Sequence, residues 1–247
     1  MTPAASRWSG LEETPVQVAG VINAYTAMLA ERAGFRALYL SGSGVPTASE
    51  RAVRELERAG AAAIQLEDQV AEKRCGHRPS KRLAAAAEMA ERIAAAASAR
   101  VSPDFAVVGR TDALAVEGLD AAVERAGRYA AAGADIIFLE GAAELRQYSA
   151  VAAATGAPVL ANLTEFGLTP LFTVAELAAA GVSLALYPLS AFRAMSAAAV
   201  RVFAAIRADG TQASVLPEMQ TRAELYEVLD YEASERQADL RAPAGTT

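Results

Sequence analysis

Four segments of the chain follow one pattern, and this pattern restricts the fold more than any single motif does. In each segment a helical stretch ends at Ala-Gly, one to three residues follow, and an apolar run of four or five residues comes next. Glycine is common just past a helix end, and a short apolar run after it is typical of a buried strand. The chain therefore alternates helices with buried strands. The four segments are ERAGFRALYL, ERAGAAAIQL, AAAGADIIFL and AAAGVSLALY.

Seven apolar runs fit the strands of such a fold. Continuously apolar strands that alternate with helices predict a parallel sheet covered on both faces. Two architectures meet this description, the doubly wound open sheet and the (β/α) barrel. The runs are VQVAGVI (16–22), ALYLS (37–41), AAIQL (62–66), FAVVG (105–109), DIIFL (135–139), PVLAN (158–162) and LALYP (184–188).

Polar residues directly after these runs favour the barrel. A barrel gathers the carboxyl ends of all its strands into one ring that carries the active site, whereas an open sheet concentrates function at one switch point. The sequence contains no glycine-rich phosphate-binding motif, so a nucleotide site has no support. The polar strand ends are Ser41-Gly42-Ser43, Glu67-Asp68, Arg110-Thr111-Asp112, Glu140 and Asn162-Leu163-Thr164.

Length and composition bound the class of protein. A chain of 247 residues that is 53% hydrophobic can bury a full core, and we expect one domain over residues 1–247. The net charge of −6 argues against a nucleic-acid partner. The first residues lack the pattern of a secretory signal, and no apolar run is long enough to cross a bilayer. Together with the lone cysteine, which suits a reducing compartment, this predicts a cytoplasmic protein without a membrane partner.

The only cysteine and the only histidine, Cys75 and His77, lie two positions apart in the basic segment EKRCGHRPSKR (72–82). Neighbouring positive charge favours the thiolate over the thiol, which predicts a reactive cysteine. The alternative is a solvated basic loop that contains an incidental thiol. Zinc normally takes three or four protein ligands, so this pair is too sparse for a zinc site.

Charged strand ends suggest what the pocket would bind. Two adjacent carboxylates after an apolar strand, Glu67 and Asp68, are costly to bury unless they meet a cation or a donor. Arg110 suits a bidentate grip on a substrate carboxylate, and Glu140 could be its structural ion-pair partner. These residues outline a pocket for an anionic, oxygen-rich substrate, with Mg²⁺ as a candidate metal.

Several stretches then identify a family. The chain closely resembles the 2-methylisocitrate lyases of the isocitrate lyase and phosphoenolpyruvate mutase superfamily, and the Lys-Arg-Cys-Gly-His segment is specific to the lyases. The resemblance implies a (β/α)8 barrel of TIM type and an Mg²⁺-dependent cleavage of 2-methylisocitrate to pyruvate and succinate, in the methylcitrate route of propionate breakdown. The stretches are ALYLSGSGV, IQLEDQVAEKRCGHRPSK, GRTDALAVEGLDAAVERA, ANLTEFGLTPLFTVAEL, ALYPLSAFRAM and GTQASVLPEMQTRAELYE.

The same resemblance implies roles for individual residues. Cys75 would protonate the succinate carbanion, His77 would complete the loop around it, and Glu67 would be a carboxylate near the metal. Gln65 stands where relatives often have histidine. Ser43 replaces a family glycine, which affects how closely the backbone can approach a ligand there. The implied substrate-binding residues are Ser41, Gly42, Ser43, Cys75, Gly76, Arg110, Glu140, Asn162, Thr164, Arg193 and Arg222.

One departure from the family pattern affects both fold and metal. Between Val45 and Thr47 the family has a further helix and a strand that ends in an Asp-x-Asp pair for Mg²⁺, and this block of about 40 residues is absent here. We therefore predict a barrel that lacks one of its eight strands and a weak metal site that retains Glu67. Either the natural molecule contains residues that this sequence omits, or the chain carries a true internal deletion.

Two function classes stay open at this point. The first is a working carbon–carbon lyase that acts on 2-methylisocitrate, or on isocitrate or dimethylmalate as a variant. The second is a catalytically impaired relative that retains carboxylate binding or oligomerisation.

For the tail, about residues 211–241, a capping box from Thr221 to Glu224 predicts an amphipathic helix. The family resemblance implies that such helices swap between subunits, so we expect a homodimer or homotetramer.

Overall fold

The computed structural model describes residues 15–40, 50–70 and 80–241, and its centre is a sheet of seven parallel strands. All seven strands lie where the apolar runs predict them. Neighbouring pairs run parallel throughout the sheet, as the alternation of strands with helices requires. The strands are β1 (Val16–Val21), β2 (Ala37–Leu40), β3 (Ala63–Glu67), β4 (Ala106–Thr111), β5 (Ile136–Leu139), β6 (Val159–Asn162) and β7 (Val182–Tyr187).

Helices alternate with these strands along the chain. The first seven are α1 (Ala24–Arg32), α2 (Glu50–Arg58), α3 (Ala86–Ala99), α4 (Ala113–Val116), α5 (Leu119–Ala131), α6 (Leu145–Thr155) and α7 (Val174–Ala179). After β7 come α8 (Ser190–Asp209), a 3-10 helix (Ala213–Glu218), α9 (Arg222–Leu229) and α10 (Tyr231–Arg241).

The repeated Ala-Gly pattern ends helices as predicted. Gly34, Gly60, Gly133 and Gly181 follow four helices with φ of +89°, +91°, +107° and +81°. This left-handed region is where glycine is favoured over residues that carry a Cβ. The capping box at Thr221 is present, and its hydroxyl accepts from the backbone N–H of Glu224 at 3.2 Å.

The order of the strands shows where the barrel is incomplete. It runs β2-β1-β7-β6-β5-β4-β3, so β2 and β3 form the two edges. Across these edges the Tyr39 hydroxyl donates to Gln65 Oε1 at 3.2 Å, which shows that the sheet curls until its edges approach each other. Within the three described ranges no strand joins the two edges. The fold is therefore a (β/α) barrel with one strand missing, as predicted.

Two apolar layers hold this sheet. The inner layer fills the curled sheet with side chains from every strand, and Phe138 and Leu186 at its centre are about 1% exposed. The outer layer lies between the strands and the helices and contains most of the buried residues. Burial of a large apolar side chain stabilises the fold by about 1.5–3 kcal/mol, so both layers contribute heavily.

The strand boundaries differ from the predicted ones mainly at β4. The apolar run predicts that this strand ends at Gly109, yet it continues through Arg110 and Thr111. Arg110 pairs with Glu67 on one side and with Phe138 on the other, so the hydrogen-bond ladder extends beyond the apolar run. The extension places Arg110 inside the barrel mouth.

The helices after β7 contact β1 and α1. Helix α8 spans 20 residues and buries none of them. Helix α9 lies against α1, where Arg32 pairs with Glu227 at 2.7 Å and Tyr25 donates to Gln220 at 2.5 Å. In the described ranges, every helix is too short or too polar to traverse a lipid bilayer.

Candidate active site

Arg110 is the centre of the charged cluster at the carboxyl ends of the strands. Its Nε lies 2.9 Å from Asp112 Oδ2 and 3.5 Å from Glu67 Oε2, and its Nη1 lies 3.2 Å from Glu140 Oε2. Strand pairing explains this convergence, because Glu67 and Arg110 are register partners and Glu140 directly follows the neighbouring strand. Three carboxylates therefore surround one guanidinium.

The guanidinium of Arg110 has a defined orientation. Its Nε and Nη2 donate to the two carboxylate oxygens of Asp112, at 2.9 and 3.2 Å, and its Cζ lies 4.9 Å from the centre of the Phe138 ring. Burial by itself would lower the pKa of Arg110, but the nearby carboxylates of Glu140 and Asp112 outweigh it and raise the pKa. The Arg110 side chain is thus a permanent cation that is largely shielded from solvent.

Asp112 also binds a second cation, Lys81, which the sequence did not suggest. Lys81 Nζ donates to Asp112 Oδ1 at 2.9 Å, and the two side chains are 2% and 0% exposed. Burial opposes ionisation of Asp112, but the charges of Arg110 and Lys81 outweigh this and hold its pKa below the usual value. Asp112 is therefore an ionised carboxylate shared by two cations.

Tyr39 is a further residue of this cluster that the sequence did not single out. It lies on β2 at the edge of the barrel opening, half-buried, with its hydroxyl on Gln65. Burial raises its pKa, the charge of Arg110 opposes this, and the carboxylates of Glu67 and Glu140 add to it. The phenol therefore stays protonated at neutral pH and donates its proton to Gln65. Its position inside the barrel depends on the curl of the sheet, which no local motif reveals.

Asp68 does not belong to the pocket, although the sequence grouped it with Glu67. Its carboxylate accepts from Thr111 Oγ1 at 2.7 Å, from the Tyr129 hydroxyl at 2.8 Å and from the backbone N–H of Asp112 at 2.9 Å. Adjacent strand residues point to opposite faces, so Glu67 faces the barrel interior while Asp68 faces α5. Burial raises the pKa of Asp68, and its three donors partly offset this shift.

We expect Tyr129→Phe to lower the free energy of unfolding by about 1–2 kcal/mol, because a buried carboxylate loses one of its donors. Tyr129 is fully buried, and its hydroxyl also accepts from Arg125 at 3.2 Å. Urea denaturation followed by circular dichroism measures the change. An unchanged midpoint would contradict a structural role for this network.

The remaining predicted residues are placed at different distances from this cluster. Asn162 Nδ2 donates to Glu140 Oε2 at 3.4 Å, and Thr164 is buried just beyond β6. Arg193, in the first turn of α8, pairs with Glu165 at 3.1 Å, which brings it to the segment after β6. Arg222 begins α9 and is exposed, and that helix packs mainly against α1 and α10.

Six predicted residues lie outside the described ranges. They are Ser41, Gly42, Ser43, Cys75, Gly76 and His77.

Mg²⁺ prefers octahedral coordination by oxygen ligands. In residues 15–40, 50–70 and 80–241 no three acidic, cysteine or histidine side chains are grouped so that they could hold a metal ion. Glu67, Asp112 and Glu140 instead surround the guanidinium of Arg110. The described residues therefore do not fit a magnesium site.

Comparison with known proteins agrees with this fold. The family described as phosphoenolpyruvate phosphomutase matches residues 42–207. Among solved structures, 2,3-dimethylmalate lyase superposes with a TM-score of 0.84 at 28% identity, covering 100% of this chain and 99% of that chain. A phosphonopyruvate hydrolase solved with oxalate and Mg²⁺ has a TM-score of 0.78 at 26% identity, covering 98% and 99%.

Curated relatives are more similar in sequence. The 2-methylisocitrate lyase of Escherichia coli (strain K12) is 46% identical, covering 92% of both chains, and that of Aeropyrum pernix is 41% identical, covering 92% and 87%. The Escherichia coli alignment spans 272 residues, whereas 92% of 247 residues is about 227. About 45 aligned positions of that relative, the difference between 272 and 227, thus have no counterpart here. By sequence and by fold, this chain belongs to the phosphoenolpyruvate phosphomutase family, among the relatives of 2-methylisocitrate lyase.

Proposed function

We propose that the chain is a carbon–carbon lyase that cleaves 2-methylisocitrate to pyruvate and succinate. The observation that carries the proposal is the buried Arg110 at the barrel mouth, in a chain 46% identical to a 2-methylisocitrate lyase. An arginine clamped from one side by Asp112 can still offer N–H donors to a substrate carboxylate. The pathway would be propionate breakdown in the cytoplasm.

The reaction is a retro-aldol cleavage. The hydroxyl of the 2-hydroxy acid half gives its proton to a general base and becomes the keto group of pyruvate, while the electron pair of the broken C–C bond remains on the succinate half. That carbanion then takes a proton, which we assign to the thiol of Cys75. Arg110 and Asn162 would orient the carboxylates, since both present N–H donors at the strand ends.

Turnover and product identity test this proposal directly. The chain is incubated separately with 2-methylisocitrate, isocitrate and 2,3-dimethylmalate, and the keto acid and the second product are identified by mass spectrometry. Pyruvate with succinate supports the proposal. Glyoxylate with succinate, or pyruvate with propionate, at a higher kcat/KM would assign the chain to one of the neighbouring lyases.

A second candidate is a catalytically impaired relative that still binds carboxylates. The observation that favours it is the set of about 45 unmatched positions, estimated as 272 less 92% of 247, together with the lack of an acidic metal cluster among the described residues. Because the resemblance assigns the magnesium aspartates to the absent block, we propose that Mg²⁺ binds weakly here and that Glu67 alone does not hold it.

We expect Cys75 to react with iodoacetamide at neutral pH faster than free cysteine, because Lys73, Arg74 and His77 stand beside it in sequence. Succinate or pyruvate should slow the reaction if the thiol lies at the ligand site. Mass spectrometry of the alkylated peptide over time measures both effects. A rate equal to that of free cysteine, without protection, would indicate an incidental thiol.

We expect a homodimer or homotetramer at micromolar concentration, and light scattering after size-exclusion chromatography measures it. The support is helix α8, which buries none of its residues. Its apolar residues Val200 and Phe203 are 65% and 69% exposed. Val200 and Phe203 are i, i+3 neighbours on one helix face, and a contiguous exposed apolar patch is typical of an interface. A strictly monomeric species would contradict helix swapping, and Phe203→Glu should weaken the assembly if α8 forms it.

A further inference from the structure

Asp112 accepts hydrogen bonds from two cations, Arg110 and Lys81, whereas a simple arginine–carboxylate pair has one. Arg110 alone would have its positive charge largely cancelled by Asp112, since the two side chains make two hydrogen bonds at 2.9 and 3.2 Å. Lys81 adds a second cation to the same carboxylate at 2.9 Å. Lys81 offsets the charge of Asp112, so Glu140 at 3.2 Å and Glu67 at 3.5 Å are the carboxylates that still oppose Arg110.

Burial makes this arrangement more than a surface ion pair. The side chains of Lys81 and Asp112 are 2% and 0% exposed, so solvent screens neither charge well. The backbone N–H of Asp112 also donates to Asp68 Oδ1 at 2.9 Å, which fixes the backbone of Asp112 relative to the end of β3. The position of Asp112 is thus determined from both faces of the sheet.

We propose that Lys81 and Asp112 are positioning residues for ligand binding. Asp112 sets the orientation of the Arg110 guanidinium through its Nε and Nη2, and Lys81 offsets the charge of Asp112, which makes the site around Arg110 less negative for an anionic ligand. Neither residue needs to contact the ligand. The inference rests on the proposed function in one respect, namely that Arg110 holds a carboxylate of the substrate.

If Lys81 acts through its charge, removing the charge of Asp112 as well should restore ligand affinity, which a purely structural role would not do. Lys81→Gln keeps a donor for Asp112 but removes the charge, so we expect the Kd for 2-methylisocitrate to rise about tenfold, equivalent to about 1.4 kcal/mol. The double variant Lys81→Gln/Asp112→Asn removes both charges and keeps one of the two acceptors, since the amide oxygen can still accept from Arg110 Nε. Its Kd is expected to return to within about threefold of the parent value, as a double-mutant cycle would show.

Calorimetric titration with 2-methylisocitrate in buffer that contains Mg²⁺ measures these affinities, and pyruvate is assayed in each sample. Where pyruvate forms, the KM from initial rates replaces the calorimetric Kd in the same comparison. Thermal unfolding is recorded for every variant. The matched control is Arg100→Gln, which removes a cation from the Arg100–Asp135 pair of 2.6 Å, next to the amino ends of β4 and β5. It is expected to lower Tm without changing the Kd.

Further variants separate the inference from the function on which it rests. Arg110→Lys keeps the charge but loses the planar fork, and a Kd equal to that of the parent would overturn Arg110 as the carboxylate anchor. If Arg110→Lys weakens binding but Lys81→Gln does not, only the positioning inference fails. The positioning inference also fails if the double variant binds as weakly as Lys81→Gln. The loss of affinity would then come from a structural change and not from the uncompensated charge of Asp112. A parent chain without measurable affinity would overturn both.

Discussion

Pyruvate formation from 2-methylisocitrate is expected to rise about a thousandfold or more when the absent block of a relative is grafted between Val45 and Pro46 of this chain. The block is the segment to which the resemblance assigns an Asp-x-Asp pair for Mg²⁺. A metal ion that acts as a Lewis acid contributes several kcal/mol to transition-state stabilisation, and about 4 kcal/mol corresponds to roughly a thousandfold in rate. The described residues do not provide such a site.

The graft also closes the gap between β2 and β3, so a control must separate the metal from the wall of the barrel. A second graft in which both aspartates of the block are asparagine restores the strand without the metal ligands. We expect it to gain stability but little activity. Calorimetric titration with MgCl₂ gives an independent readout, with binding expected only for the graft that retains the aspartates.

Two results would contradict this prediction. Activity of the unmodified 247 residues at the level of its relatives would mean that other residues hold the metal. An intact mass of the natural protein well above 25.6 kDa would mean that the natural molecule contains the block.

Arg110→Met is expected to lower the free energy of unfolding by about 3–5 kcal/mol, because it leaves buried carboxylates without their shared cation. Glu140 and Asp112 are both fully buried, and each lies within 3.2 Å of the Arg110 guanidinium. Urea denaturation at pH 7 measures the loss. The matched control is Arg193→Met, whose partner Glu165 is partly exposed, and we expect less than about 1 kcal/mol there.

The pH dependence of the Arg110→Met effect follows from Asp112. In the folded parent, burial raises the pKa of Asp112, but Arg110 and Lys81 outweigh burial and depress it. A depressed carboxyl pKa stabilises the fold above the unfolded value of about 3.9, and this contribution is lost as the pH falls through the folded pKa. The difference between parent and variant should therefore be full at pH 7 and shrink below about pH 4. A difference that does not depend on pH would point to lost packing on Phe138 instead.

Local patterns in the sequence determined the elements and the class of fold. The Ala-Gly helix ends predicted Gly34, Gly60, Gly133 and Gly181 in the left-handed region, because only glycine adopts it without a steric cost. The apolar runs predicted all seven strands, and alternation with helices predicted their parallel pairing. The polar strand ends predicted that Glu67, Arg110 and Glu140 would meet, because a barrel brings its carboxyl ends together.

Other features were decided only by the tertiary structure. The sequence could not assign Glu67 to the interior and Asp68 to the helices, because strands buried on both faces are apolar on both sides and carry no alternation. Tyr39 and Lys81 entered the cluster through contacts with residues 26 and 31 positions away, Gln65 and Asp112. Such contacts depend on the curl and register of the sheet, which arise from packing of the whole barrel rather than from any local stretch of sequence.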